Sequence, residues 1–352
     1  YAAPPDPRKQ LLLPANPKVY PATSEKRFHS FEESGHFTSA CSAMIYRDEL
    51  LFGRGENQHA FTCEPFHNLV HHAVLRDDGV SFHAERAPEE QQSEFFTSED
   101  RWCRPVMAQT GPDGALWIVD MYRYMIEHPQ WLPEEGREEL KPFYRSGDDR
   151  GRIYRIYRKD ELPRPIPQLA GLSTEQLVAQ LESPNGWQRD VAQQSLVQQQ
   201  DATAVAPLAK LADGSTSARA RIHALCTLDG LKALDADLLE RALTDPHPAV
   251  RRQAVRLAEP MAAEYPQLIG RVLPLASDPD AKVRLQVACS LGQWQDPRIG
   301  PALTQLALSD SQDTHTVAAV MSSLNASNIA AALTAAIAES RDGAKSSQLA
   351  GR

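Results

Sequence analysis

Four arginines, Arg189, Arg221, Arg251 and Arg284, follow one another at intervals of 32, 30 and 33 residues, and this period constrains the fold more than any other feature. Seven residues after each stands Leu196, Leu228, Ala258 or Leu291. Ahead of them stand the turn signals Ser183-Pro-Asn-Gly, Asp213-Gly-Ser, Asp245-Pro-His-Pro and Asp278-Pro-Asp. Asp or Ser caps a helix by accepting a free first-turn N–H, and proline is tolerated there because its missing donor is not needed. Each unit therefore reads as helix, turn, helix, as in Ala249–Ala258 followed by Tyr265–Leu275. Such a unit cannot bury its apolar stripe alone, so neighbours must stack, which gives a HEAT-like α-solenoid over 168–340. A fifth unit begins near Asp310 and carries Val317 where the others carry arginine, as a degenerate or capping unit would. The recurring arginine is expected to pair with the turn aspartate of its own or the preceding repeat, with an anion-binding stripe as the alternative.

The period changes near residue 160. Glu161-Leu-Pro-Arg-Pro-Ile-Pro167 alternates three prolines, which favours an extended linker over 161–167. Upstream of it, Gly111-Pro-Asp-Gly-Ala-Leu-Trp-Ile-Val-Asp120 joins an Asp-Gly turn to a short apolar run, the pattern of a hairpin entering a buried strand. Arg76-Asp-Asp-Gly79, between Asn68–Leu75 and Val80–Arg86, is a second such hairpin, and Gly151-Arg-Ile-Tyr-Arg-Ile-Tyr157 is a further strand. Cys41 and Cys103 each open a strand 62 residues apart, the spacing of a four-stranded propeller blade with long loops. The fold class is thus multidomain, β then α: the last two blades of a β-propeller over 30–160, followed by the solenoid. Two blades cannot close a ring, so further blades are expected upstream of Tyr1. Residues 1–29 are then an irregular connection from them, and 341–352 a tail.

Composition excludes some partners. Asp and Glu number 46 against 37 Lys and Arg, a net charge of −9, which argues against general affinity for nucleic acid or anionic membrane. Apolar runs such as Ala115–Val119 are too short to span a bilayer. The chain starts at Tyr1 without an initiator Met or a signal-peptide pattern, so any leader is expected to precede it. Five cysteines at wide spacing, with no Cys-x-x-Cys pair, form neither a disulfide framework nor a zinc site. They read as buried thiols, with a Cys41–Cys103 bridge between blades as the alternative.

Several motifs of the first half occur together in a fixed order. They are Gly35-His-Phe-Thr-Ser-Ala-Cys41, Phe61-Thr-Cys-Glu-Pro-Phe-His-Asn-Leu-Val-His71, Arg104-Pro-Val, Gly111–Arg123, Ile126-Glu-His-Pro129 and Gly151-Arg-Ile-Tyr154. In this combination residues 20–160 resemble the PVC-type membrane-bound dehydrogenase family, and the repeats resemble it in architecture. The resemblance implies an exported protein, periplasmic or otherwise extracytoplasmic, with a quinoprotein-like propeller, HEAT-type repeats and a C-terminal c-type haem domain. Haem attachment needs Cys-x-x-Cys-His, which this chain lacks; Cys63-Glu-Pro-Phe-His67 has Phe66 in place of the second cysteine and reads as structural. Haem c is therefore expected only beyond this chain.

In a blade, the entry to the innermost strand and the loop between the second and third strands share one rim. Trp102 and Arg104 stand at that entry, and Met121–Asp149 is that loop, carrying Arg123, Glu127, His128 and Trp131. His128 beside Glu127 is the candidate catalytic base, and Arg104, Arg123 and Trp102 are candidate contacts for an anionic quinone of the PQQ type. The plainer reading is an ion-paired loop. His67, His71 and His72 suggest a metal only if the segment is helical. On a strand, i and i+4 partners stand about 13 Å apart, so no metal site is expected. His223, His247 and His315 stand alone, and no phosphate loop, nucleophile elbow or basic stripe is present.

The first functional expectation is a part of an exported quinoprotein-like dehydrogenase that oxidises a sugar or other alcohol and passes electrons to a haem domain outside this chain, inactive by itself. Its partners would be the upstream blades and the cytochrome-like domain of the same protein. The second, of a different class, is a non-catalytic propeller and solenoid scaffold that binds carbohydrate or protein partners.

Overall fold

The computed structural model describes residues 18–22, 35–55, 57–126, 128, 130 and 134–341. Most of the 1–29 connection and the tail from 342 onward lie outside these residues. Two compact units make up the chain, one built on strands and one on helices.

In the strand unit, β1 (Cys41–Ile45), β2 (Gln58–Glu64), β3 (Leu69–Asp78) and β4 (Ser81–Glu85) run in sequence order across one sheet. The short β5 (Phe96–Thr97) also pairs with β3. β6 (Pro105–Thr110), β7 (Leu116–Asp120) and β8 (Arg152–Ile156) form a separate antiparallel sheet of three. The sequence pattern suggested two units of four strands; the second sheet has three among the described residues. Neither sheet closes into a barrel.

Alternation sets the faces. Along β7, Leu116, Ile118 and Asp120 are buried while Trp117 and Val119 are half-buried, the period of two that a one-sided strand requires. Ala108, Leu116 and Ile118 join Tyr46, Phe61, Cys63 and Val70 in one core shared by the two sheets. Burying a side chain the size of Leu116 or Ile118 contributes about 1.5–3 kcal/mol. The Asp-Gly turn forms as the sequence predicts: Gly111 N donates to Ala115 O at 2.7 Å, and Gly114 takes φ +91°, where a side chain would be strained. Asp113 fixes this turn, accepting Ala115 N at 3.1 Å and Trp117 Nε1 at 3.0 Å. All five cysteines are free thiols, so Cys41 and Cys103 are not bridged.

The second unit is a HEAT-like stack of helix pairs, among them 218–230, 236–242, 248–261, 267–272, 281–291, 299–309 and 314–323, around one continuous core. Helix starts are capped by the expected residue types, and Asp280 does so within its turn signal Asp278-Pro-Asp. Ser217, Asp235, Asp280 and Asp313 accept the third-position amide, whereas the turn aspartates Asp245 and Asp278 do other work. Arg221 donates through Nε and Nη2 to both oxygens of Asp245 at 2.8 Å, and Arg251 to Asp278 at 2.7 Å. Arg284 does the same to Asp310 at 2.7 and 2.6 Å. Meanwhile Nη1 of each grips a carbonyl of its own turn: Ser215 O, Asp245 O and Asp278 O. The partner is thus the turn aspartate of the following repeat, not of the same or preceding one. The reason is reach: the arginine's own turn already occupies Nη1, and the planar fork then points forward along the stack. This ladder accounts for Arg221, Arg251 and Arg284 without an anion-binding stripe.

Candidate functional site

Asp120, at the end of β7, organises the region where the sequence placed its site. Its buried carboxylate accepts Arg104 N (2.7 Å) and Tyr122 N (2.8 Å) on Oδ1, and Arg152 Nε (2.7 Å) on Oδ2. Arg152 Nη1 donates to Asp100 Oδ2 at 2.7 Å, and the guanidinium lies 4.3 Å over the Tyr122 ring. Burial works against the Arg152 charge, but the hydrogen bonds to Asp120 and Asp100 win and hold its pKa above the usual arginine value. Tyr122 has φ +55°, a left-handed conformation uncommon for an aromatic residue. Trp102 stacks on its ring, centroids 5.4 Å apart. Gly147, at φ +92°, packs so close to Tyr122 O that a Cβ there would collide with it.

These restraints shape a shallow, open depression of about 450 Å³ lined by Tyr122, Asp149, Arg150, Gly151 and Arg152. An aromatic ring beside an exposed carboxylate and guanidinium can hold a neutral polyhydroxylated molecule, the ring covering its C–H face and the charged groups meeting its hydroxyls.

Of the residues singled out from sequence, Trp102, Arg104 and Arg123 contact the residues that shape this depression, and none of those described lines it. Trp102 is the layer behind Tyr122. Arg104, 1% exposed, donates to Arg123 O (3.0 Å), Pro65 O (3.0 Å), Phe66 O (3.3 Å) and Tyr124 O (2.7 Å). Arg123 Nη1 donates to Met121 O (2.8 Å), Tyr122 O (3.1 Å), Arg150 O (3.2 Å) and Gly147 O. Arg123 N in turn donates to Trp102 O at 3.0 Å, so Trp102, Arg104 and Arg123 do come together. Both guanidiniums donate to main-chain carbonyls and so tie this loop to its neighbours. His128 is exposed, its Nδ1 accepting Gln130 N at 3.3 Å. Glu127 and Trp131 lie outside the described residues. Within the same long loop, Met125 and Leu140 bury a small core with Tyr124 and Tyr144.

The histidines on β3 and in the turn before it divide among separate partners. His67 Nε2 meets His36 O at 2.9 Å, and His71 Nδ1 meets Glu94 at 2.9 Å. Burial would raise the Glu94 pKa, but its bonds to His71 and then Arg86 hold it below the usual carboxylate value. His72 Nδ1 lies 3.1 Å from Glu90 and its Nε2 2.9 Å from His59 Nδ1. With Glu90 ionised and both rings neutral, His72 donates to it through Nδ1, His59 Nδ1 donates to His72 Nε2, and His59 Nε2 is left as a lone pair. Burial first, and then His72, lower the His59 pKa to about 4. Among the described residues no group of three His, Cys, Asp or Glu is arranged to hold a metal. Glu64 is fully buried and fixes a turn, accepting Thr38 N (3.0 Å) and Ser39 N (2.9 Å).

Sequence reading missed Tyr122, Asp149, Arg150 and Arg152 as a group. The available signal was Asp148-Asp-Arg-Gly-Arg152, charges clustered immediately before an aromatic strand. No helix among the described residues is long and apolar enough to cross a membrane. Residues 2–160 match a family described as a domain of unknown function, DUF7133, and residues 234–325 match HEAT repeats. A comparison with curated proteins finds no match.

Proposed function

We propose that this chain is the substrate-facing and spacer part of an exported, quinoprotein-like dehydrogenase that oxidises a sugar or other alcohol. The observation that carries the reading is the Tyr122–Arg152 depression, whose ring, carboxylate and guanidinium suit a polyol. The two sheets are read as adjoining propeller blades, because each is a meander in sequence order and they share one core. The resemblance supplies the rest of the proposal: further blades, a c-type haem domain that takes the electrons, and a periplasmic or otherwise extracytoplasmic setting. In this reading Arg104 and Arg123 build the wall, and any quinone is held by residues of other blades. The test is dye reduction by the full-length gene product with a panel of sugars and alcohols. Replacing Tyr122 by Ala should then raise KM several-fold with kcat largely kept; an inactive full-length protein, or an unchanged KM, defeats the proposal.

A second reading, a non-catalytic scaffold that binds carbohydrate, is favoured by the main-chain engagement of Arg104 and Arg123 and by the exposure of His128. Calorimetric binding of oligosaccharides to residues 1–352, without turnover in the full-length protein, would select it.

A further inference from the structure

Cys41 and Cys63 stand directly opposite each other across β1 and β2. Residues so paired point to the same face of the sheet, and both side chains pack in the core shared by the two sheets. Directly opposed antiparallel residues have Cα atoms about 4.5–5.5 Å apart, inside the range of about 4.4–6.8 Å that a disulfide spans. Their Cβ atoms, about 4.5–5.5 Å apart in such pairs, must close by up to about 1 Å to reach bonding geometry. The fold provides slack at that point. Cys41 begins β1, the register shifts between Cys41 and Met44, and Ser42 takes φ +52°.

We propose that Cys41 and Cys63 are a modification site, a thiol pair that closes to a reversible cross-strand disulfide in exchange with a small-molecule disulfide or a disulfide-donating oxidoreductase. The proposal stands on strand register and does not depend on the dehydrogenase reading. The thiolate of Cys41, the less buried of the two, attacks one sulfur of the external disulfide and expels the first thiolate. Cys63 then displaces the second external thiolate as the Cys41–Cys63 bond forms. One external disulfide is reduced to two thiols, two protein thiols are oxidised, and their two protons pass to the leaving thiolates.

Burial, and then Glu64, raises the Cys41 pKa; burial, and then Cys41, pushes Cys63 up to about 12. The exchange is therefore slow at neutral pH and gains about tenfold per pH unit while the thiolate remains the minor form. Drawing the two Cβ atoms together strains the bond and makes it easier to reduce, the property of a labile disulfide and not of a permanent brace.

The test uses residues 1–352 with oxidised glutathione at pH 8.5, followed by denaturing alkylation and peptide mapping. The expected result is loss of two alkylatable thiols, a Cys41–Cys63 linked peptide, and Cys103, Cys226 and Cys289 still alkylated. Millimolar dithiothreitol should reopen the bond in the folded protein. A Cys41–Cys103 linkage, mixed disulfides alone after prolonged incubation, or five alkylatable thiols would each overturn the proposal. Cys41→Ser should leave Cys63, Cys103, Cys226 and Cys289 all alkylated after the same treatment; loss of Cys63 alkylation into another disulfide-linked peptide in this variant also overturns it.

Discussion

Arg251 and Asp278 face each other across successive repeats, Nε and Nη2 donating to the two carboxylate oxygens at 2.7 Å each. Their side chains are 12% and 3% exposed, so removing one partner leaves the other charged, little solvated and unpaired. Losing one member of a buried pair costs about 3–5 kcal/mol. Arg251→Ala should destabilise the helical unit by that order in urea unfolding followed by circular dichroism. Arg251→Lys, which keeps the charge but loses the fork, should fall between it and wild type. A change under 1 kcal/mol for the alanine variant would mean the ladder carries no stability.

Ser215 occupies the place that Asp245, Asp278 and Asp310 hold in the later rungs: Arg221 Nη1 grips its carbonyl, and its Oγ accepts Ser217 N at 3.2 Å. Its hydroxyl also donates to Glu182 at 2.7 Å, and an aspartate there would be repelled by that carboxylate. Ser215→Asp should therefore lower the thermal midpoint of the helical unit by a few degrees, and adding Glu182→Gln should recover most of the loss. A midpoint that Ser215→Asp leaves unchanged would show that the two positions do not interact.

The depressed His59 pKa has a definite sign. Between about 4 and the ordinary histidine value of 6.5 the unfolded chain binds the proton and the folded one does not. This contribution to stability is complete above pH 6.5 and is lost as pH falls towards 4. The strand unit of wild type should therefore weaken across that window more steeply than that of His59→Gln. Denaturation at half-unit pH steps measures the difference; parallel curves would remove His59 from the acid response.

Gly147→Ala puts a Cβ against Tyr122 O at a φ of +92°. The backbone effect alone exceeds about 1 kcal/mol, and relief of the collision must move Tyr122. The stacked Trp102 reports that movement, so its fluorescence maximum should shift to the red while the helical signal at 222 nm holds. An unshifted maximum would show that Tyr122 stays in place.

What was legible in the sequence follows from local chemistry. The Gly111–Ala115 turn is set by residues adjacent in the chain, and it forms as read. The arginine period announces the stack, but a period has no direction, so the partner was placed one repeat wrong. Trp102, Arg104 and Arg123 were expected to lie together, and strand order does bring them together. Their roles depend on which carbonyls the folded loop presents, and carbonyls leave no trace in side-chain sequence. The pairing of His59 with His72 needs the β2–β3 register, in which Phe61 faces His72, and neither strand encodes that register alone.

Because each ladder arginine holds its own turn by a carbonyl and the next turn by a carboxylate, the solenoid resembles a zipper with a preferred end for opening. Peeling away the last units strips Arg284 of Asp310 and strands a poorly hydrated cation. Peeling away the first units frees Asp245, a carboxylate that still accepts His247 N and can turn to water. Fraying under load or protease should therefore start from the N-terminal end of the stack, with its C-terminal end as the anchor.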